Sequence, residues 1–408
     1  MVALVWLNGL LSLCLAVYAL SALLHVVLYL LHRRDPPAPP EVPWEALPTV
    51  TVQIPVYNEV HVVERAIHAA AALDYPRERL QVLVLDDSDD ETTAVAQACA
   101  GGYRARGFDI SVLRRADRSG YKAGALAHAL PHSKGEFIAI FDADFQPQPD
   151  FLLRTIPHLL ARPELGFVQA RWAFLNPDYS LLTRAQALAF DGYFVIEQTA
   201  RSRAGLMLIF NGSAGVWRRA CIEDAGGWQC DTLCEDLDLA FRAQAAGWRP
   251  LYLPDVAVPS ELPPQIAAFK LQQARWAQGA AQSLRKLAPR LLRSKHLRWW
   301  QKGLGLIYLA SYMAHPVALI LIVLALPMLL LPHSPHWIVG GVLGLLYLGP
   351  PLIYLLAQQR LYRRGWLRLW PLPLLVLLGI GIAWSLSLIH ISEPTRLLSI
   401  SYAVFCLK

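Results

Sequence analysis

The sequence predicts an α/β domain, a parallel sheet covered by helices on both faces, set between membrane-spanning α-helices. Three observations predict it. The run from Val2 to Leu31 contains no Lys, Arg, Asp or Glu. From residue 49 to 144, short apolar β-branched segments alternate with segments of helical spacing. After residue 303, long apolar runs return. The 408-residue chain is 55% hydrophobic and 17% charged, with a mean hydropathy of +0.34. These are averages over two unlike parts, since the charge is concentrated in the middle.

The apolar run that fills residues 1–34 exceeds the roughly 20 residues a bilayer requires. A secretory signal has a shorter apolar core, so an uncleaved anchor is expected. His32, Arg33 and Arg34 follow it directly. Basic flanks mark the cytoplasmic side, which puts the central segment in the cytosol. Residues 35–48, DPPAPPEVPWEALP, read as a stiff proline-rich linker. Strands are expected at 49–59, 80–88, 109–115 and 136–144, with helices at 62–73, 91–100 and 122–130 between them. Continuous apolar strands of this kind are buried on both faces, and ligands bind beyond their carboxyl ends. The domain built on them spans 49–285.

Residues 286–302, KLAPRLLRSKHLRWWQK, alternate basic residues with Leu and Trp. They are expected to form an amphipathic helix at the bilayer surface. The region 303–386 then holds two complete spans, 304–331 and 337–357, and a truncated third that begins near Leu369. Arg360, Arg363, Arg364 and Arg368 place the loop before that third span on the cytoplasmic side. Residues 387–408 introduce Glu393 and Arg396 where lipid is expected. This string resembles a translated sequencing adapter and is read as a non-native tail with no bearing on function.

The net charge of +6 and pI near 9.0 sit largely beside the membrane segments, where anionic headgroups account for them. No nucleic-acid partner is therefore expected. The six cysteines lack metal-ligand spacing and are expected as free thiols in a cytosolic domain. Neither GxGxxG nor GxxxxGK[ST] occurs.

Chemistry concentrates at strand ends. FIAIFDADF (137–145) delivers Asp142 and Asp144 to the end of a buried strand, where the turning backbone lets both reach one cation. Oxygen ligands suit Mg2+ or Mn2+. Asp86 and Asp87 end another strand of the same sheet. Unpaired acids at neighbouring strand ends repel, and a metal with a nucleotide would relieve that repulsion. In CEDLDL (234–239), Glu235 and Asp236 open a helix. They either complement its dipole or supply a general base. In QQARW (272–276), Gln272, Arg275 and Trp276 share one helical side. They suit a diphosphate and a sugar ring, or equally a helix at a membrane surface.

The ordered series IPVYNE (54–59), LDDS (85–88), KAGAL (122–126), DAD (142–144), FNGS (210–213), CEDLDL and QQARW resembles the membrane-bound family 2 glycosyltransferases. These include the cellulose synthases, the cellulose-synthase-like mannan and glucan synthases, and bacterial relatives. The resemblance runs from about 49 to 300. It implies a GT-A type, Rossmann-like domain with a mixed, mostly parallel sheet, flanked by transmembrane α-helices. It implies that Pro55, Tyr57 and Glu59 border the nucleobase, that Asp87, with Asp86, holds the nucleoside, and that Lys122 approaches the diphosphate. Asp142 and Asp144 would hold the divalent metal, with Asp142 also on the donor. Asn211, Gly212 and Ser213 would line the acceptor side. Asp236 would be the catalytic base beside Glu235. Gln272 and Arg275 would bind the diphosphate, and Gln273 and Trp276 the acceptor sugar. Two departures stand out: Cys234 replaces the family's usual threonine, and no FxVTxK-like gating segment follows QQARW.

The implied activity is inverting, metal-dependent transfer of a hexose from UDP-glucose or GDP-mannose to a growing β-linked polysaccharide. It would occur at the cytoplasmic face of a bacterial-type inner membrane. A single transfer to a ceramide or diacylglycerol acceptor is the alternative, and an inactive membrane scaffold a remote one, since every motif carboxylate is present. A transporter is disfavoured because the expected spans contain no acid or lysine.

Overall fold

The computed structural model describes residues 2–33, 41–329 and 348–392. The expected turn at 332–336, the first part of the span 337–357, residues 35–40 of the linker and the tail from 393 lie outside them.

The sheet has seven strands in the order β3-β2-β1-β4-β6-β5-β7. They are β1 Val50–Val56, β2 Leu80–Asp86, β3 Asp109–Arg114, β4 Phe137–Ile140, β5 Leu165–Phe174, β6 Gly215–Arg218 and β7 Arg249–Ser260. β1 to β4 are mutually parallel, and β5 is parallel to β7. β6 runs antiparallel between β4 and β5. This is the mixed, mostly parallel GT-A-like arrangement.

Side-chain alternation assigns each strand residue a face. Val50, Val52, Ile54 and Val56 of β1 and Val82 and Val84 of β2 join one core. That core is closed by α2 (Val63–Ala71), α3 (Thr92–Arg104) and α5 (Phe151–Ala161). Leu83, Leu85, Ile138 and Ile140 point to the other core. There they meet α4 (Tyr121–Ala129), α8 (Arg219–Asp224) and α9 (Glu235–Ala245). Phe141, Ala143 and Phe145 continue the first face beyond the end of β4. Asp142 falls to the side of α4, where Lys122 meets it.

α1 (Val2–His32) and the C-terminal helices carry the apolar surface. Trp6–His32 and Gly365–Ser385 are each long and apolar enough to cross a membrane. The expected span 304–331 falls on two helices. α11 (Trp299–Leu309) and α12 (Ala314–Leu329) form a pair bent by 50°. Pro316 falls in the first turn of α12, where its missing N–H is tolerated. The stretch 286–302 is also divided. α10 (Ile266–Arg293) runs through its first half, the chain breaks, and Trp299 starts α11. At the break Ser294 Oγ donates to the carbonyl of Ala245, 2.8 Å away, tying the end of α10 to α9.

Beyond the undescribed stretch, α13 (Gly349–Leu361) and α14 (Leu372–Ser392) follow. α13 packs on the π-helical turn Gly192–Glu197 that continues α6 (Leu181–Asp191). A Cβ at Gly192 would lie 2.8 Å from Tyr354, so the close approach requires glycine. Gln358 Nε2 donates to buried Asp191 Oδ2 at 2.8 Å. Burial pushes the Asp191 carboxyl up to about 6 against that bond. Arg360 pairs with Asp255 at 3.4 Å and Arg368 with Asp178 at 3.3 Å. The arginine-rich loop is thereby on the same side as the α/β domain.

Candidate active site

The site lies at the carboxyl ends of β1, β2 and β4. Lys122, in the first turn of α4, is its centre. Its Nζ reaches Asp142 Oδ1 at 2.5 Å and donates to the carbonyl of Gly212 at 2.9 Å. Ser213 Oγ accepts from the backbone N–H of Asp142 at 2.9 Å, fixing the turn that carries the carboxylate. Gly212 has φ +79°, and a Cβ there would stand 2.9 Å from Asp236 Oδ2 and 3.4 Å from Lys122 Nζ. Four motifs far apart in sequence thus converge on a few ångströms. Asp236 is half-buried in the first turn of α9, and its Oδ1 accepts from its neighbour's N–H at 2.7 Å.

The charges are interdependent. Burial, and then the adjacent Glu235, push the Asp236 carboxyl up to about 7, against the opposing pull of Lys122 and Arg275. Burial would pull Lys122 down, but Asp142, Glu235 and Asp236 outweigh it and hold the ammonium above its ordinary value. A carboxylate poised near neutrality beside a permanent cation suits proton abstraction in a cleft.

The remaining expected residues divide into two sets. Tyr57, past the end of β1, lies under the guanidinium of Arg118, 3.1 Å from the ring centroid. Pro55 pairs with Leu85 of β2, and Glu59 is half-buried in the following turn. The Asp87 side chain is 7% exposed and gripped by Arg115 through Nε at 2.9 Å and through Nη2. It faces the site with its charge already balanced.

Asp86 lies on the other side of the sheet. Its parity turns it to the opposite core, where it is buried. Oδ1 accepts from Ser88 N at 2.9 Å and Oδ2 from Thr93 Oγ1 at 2.7 Å. It anchors the loop that follows β2.

Asn211 and Ser213 bond into the protein as well. Asn211 holds Tyr193 Oη and Gln198 Nε2 at 3.0 and 2.8 Å, and Ser213 is wholly buried. They are the frame behind Asp142 and Gly212, since a buried polar side chain must find partners.

On α10, Gln272, Gln273 and Trp276 are half-buried and Arg275 is exposed. Trp276 stands edge-on to Phe190 with centroids 5.9 Å apart. Gln272 carries a buried Oε1 without a hydrogen-bond partner among the described residues. Cys234 supports this helix. A Cβ at Gly279 would lie 2.2 Å from its sulfur, so α10 rides directly on the loop before α9. Burial, then Asp236 and Glu235, push the Cys234 thiol far up, and it remains neutral packing.

Several residues escaped the sequence reading. Arg115 was visible only as a charge at the end of a strand. Gln169 accepts from Asn211 N at 2.9 Å and donates to Ser213 O at 3.0 Å. Buried Asp238 meets Arg242 at 2.7 Å and Lys286 of α10 at 2.9 Å, clamping α9 to α10. Asp238 stands two residues after Asp236, and only its burial separates the two roles.

Residues 48–279 match the model of the Glycosyltransferase like family 2. The chain belongs to this family. Within it, the chain is 43% identical over 303 residues to glucomannan 4-beta-mannosyltransferase 2 of Arabidopsis thaliana, covering 72% of this chain and 57% of the relative. It is 47% identical over 260 residues to the probable glucomannan 4-beta-mannosyltransferase 11 of the same plant, covering 62% and 58%. The chain thus spans a little over half the length of these family relatives. A solved structure of the mannosyltransferase PcManGT from Pyrobaculum calidifontis, in complex with GDP-Man and Mn2+, superposes with a TM-score of 0.65. It covers 95% of this chain and 99% of its own, at 23% identity. At that identity the likeness is one of fold.

Proposed function

We propose that this protein transfers mannose from GDP-mannose, with inversion, to the end of a growing β-linked glycan. The observation that carries the proposal is the convergence of Lys122, Asp142, Gly212 and Asp236 at the strand ends. The names of the family relatives and of the fold neighbour favour mannose and GDP-mannose over glucose and UDP-glucose.

Asp236 takes the proton of the acceptor hydroxyl as that oxygen attacks the anomeric carbon. In-line attack from the side opposite the diphosphate gives the β-glycoside from an α-linked donor. Lys122 meets the charge that develops on the leaving diphosphate. Arg275 adds a second cation, and Gln272 donors complement it. Trp276 offers a platform for the acceptor sugar, and Tyr57, with Arg118 over it, borders the nucleobase. The half-exposed oxygens of Asp142 and Asp144 fit a hard divalent ion. When bound, Mg2+ or Mn2+ neutralises the diphosphate and improves it as a leaving group.

The domain sits on the arginine-rich side of the membrane helices, which favours a cytosolic orientation. An acceptor chain passing toward the lipid from that face fits a polymer product.

The test is incubation of membranes with radiolabelled GDP-mannose or UDP-glucose and Mg2+ or Mn2+. Insoluble product is then separated from lipid-soluble product and digested with a β-mannanase. Mannanase-sensitive polymer, abolished by EDTA, is expected. Incorporation from UDP-glucose alone would overturn the donor. Counts confined to the lipid phase would establish the glycolipid alternative, and full activity in EDTA would remove the metal.

A further inference from the structure

On the opposite face of the sheet from Lys122 and Asp236, α2 and α3 bring together three chemically distinct side chains. Glu64 and His68 lie one helical turn apart on α2, and Cys99 comes from the middle of α3. One ligand atom of each lies within 4.8 Å of the other two. We propose that Glu64, His68 and Cys99 form a zinc-type metal site that staples α2 to α3.

The donor set is the first argument. One carboxylate oxygen, one imidazole nitrogen and one thiolate match the N/S/O preference of Zn2+ and exclude Mg2+ and Ca2+, which take oxygen. The catalytic carboxylates Asp142 and Asp144 have the reverse preference, so the two sites would draw different ions. Around a tetrahedral zinc, ligand atoms stand about 3.3–3.8 Å apart. The exposed Glu64 and His68 can close the remaining gap by side-chain rotation.

The orientation of the histidine is the second argument. His68 Nδ1 lies 2.7 Å from Tyr103 Oη, one turn beyond Cys99 on α3. Its Nε2 faces the Glu64 carboxylate at 3.5 Å. Metal-ligating histidines are held in this way, one ring nitrogen bonded to a protein oxygen and the other presented to the ion. The Tyr103 ring is itself fixed, edge-on to Phe108 with centroids 5.2 Å apart and beneath Arg106 at 4.0 Å. An ordinary surface pair at i, i+4 would account for Glu64 and His68. Cys99 also packs against the core of that face, but neither role brings its sulfur together with the other two donor atoms or supplies a tyrosine that sets the ring. The sequence concealed the arrangement because Cys99 is distant from His68 along the chain.

The experiment uses the full chain in detergent, stripped with a chelator and titrated with Co2+ alone. One equivalent should produce a near-ultraviolet thiolate-to-cobalt absorption that Zn2+ displaces. Cys99→Ser should abolish the band. His68→Gln, at an exposed position that leaves the fold intact, should weaken Co2+ binding at least tenfold. Tyr103→Phe keeps the ring packing and should weaken it about tenfold. Absence of the band, its survival in Cys99→Ser, or unchanged affinity in His68→Gln would overturn the proposal.

Discussion

Gly212→Ala would test the geometry of the site with the smallest possible change. The new methyl carbon would stand 2.9 Å from Asp236 Oδ2, about 0.5 Å inside the 3.4 Å at which ordinary contact begins. It would also touch Lys122 Nζ at 3.4 Å. The backbone φ of +79° adds strain for any residue with a Cβ, worth about 1–2 kcal/mol. A shift of Asp236 away from the methyl strains its hydrogen bond to the N–H of Leu237. A displacement approaching 1 Å at a reacting group costs on the order of 10²-fold, so a half-ångström shift should cost roughly 10-fold or more in kcat. The melting temperature should fall by a few degrees. Initial rates of mannose incorporation, measured beside thermal unfolding and GDP-mannose binding, separate these effects. The expected pattern is a loss in kcat with donor affinity changed much less. Wild-type kcat in a folded Gly212→Ala protein would refute the placement of Asp236 as the base.

Asp236→Asn removes the proposed base and should lower kcat by about 10²–10⁴, with donor binding retained in a titration with GDP-mannose. The pH profile should show activity lost as pH falls through about 7, because burial and Glu235 hold Asp236 protonated below that point. Glu235→Gln should move this acid limb to lower pH, and an unmoved limb would detach Asp236 from it. The same shift carries a stability cost of opposite sign. Between the ordinary 3.8 and about 7 the native state holds a proton that the unfolded chain releases, so this contribution is lost as pH rises. Arg242→Met strands the fully buried Asp238 with only Lys286 beside it, and should cost about 3–5 kcal/mol by chemical denaturation.

Much of this was legible in one dimension. The apolar β-branched runs and the helices between them predicted β1 to β4 and their parallel order, because burial on both faces leaves an unmistakable pattern. The resemblance to family 2 glycosyltransferases rested on motifs in order, and the family match over 48–279 bears it out. The fate of individual polar side chains was less legible. LDDS presents two identical acids, yet one anchors Thr93 in the core and the other grips Arg115 at the site. CEDLDL likewise contains a cleft acid and, two residues on, a buried helix clamp. Periodicity marks the face, but not the partner waiting there.

The sequence by itself determined the alternation of strands and helices, the apolar flanks, and the delivery of carboxylates to strand ends, since these depend on local pattern and burial. Tertiary structure alone decided the antiparallel insertion of β6, the bend between α11 and α12, and the meeting of Lys122, Asp142, Gly212 and Asp236. It also decided which acids face the cleft and which are neutralised within the fold. The physical reason is that electrostatic pairing and close approach act through space. Residues 90 positions apart, such as Lys122 and Gly212, share a hydrogen bond that no local regularity of the chain records.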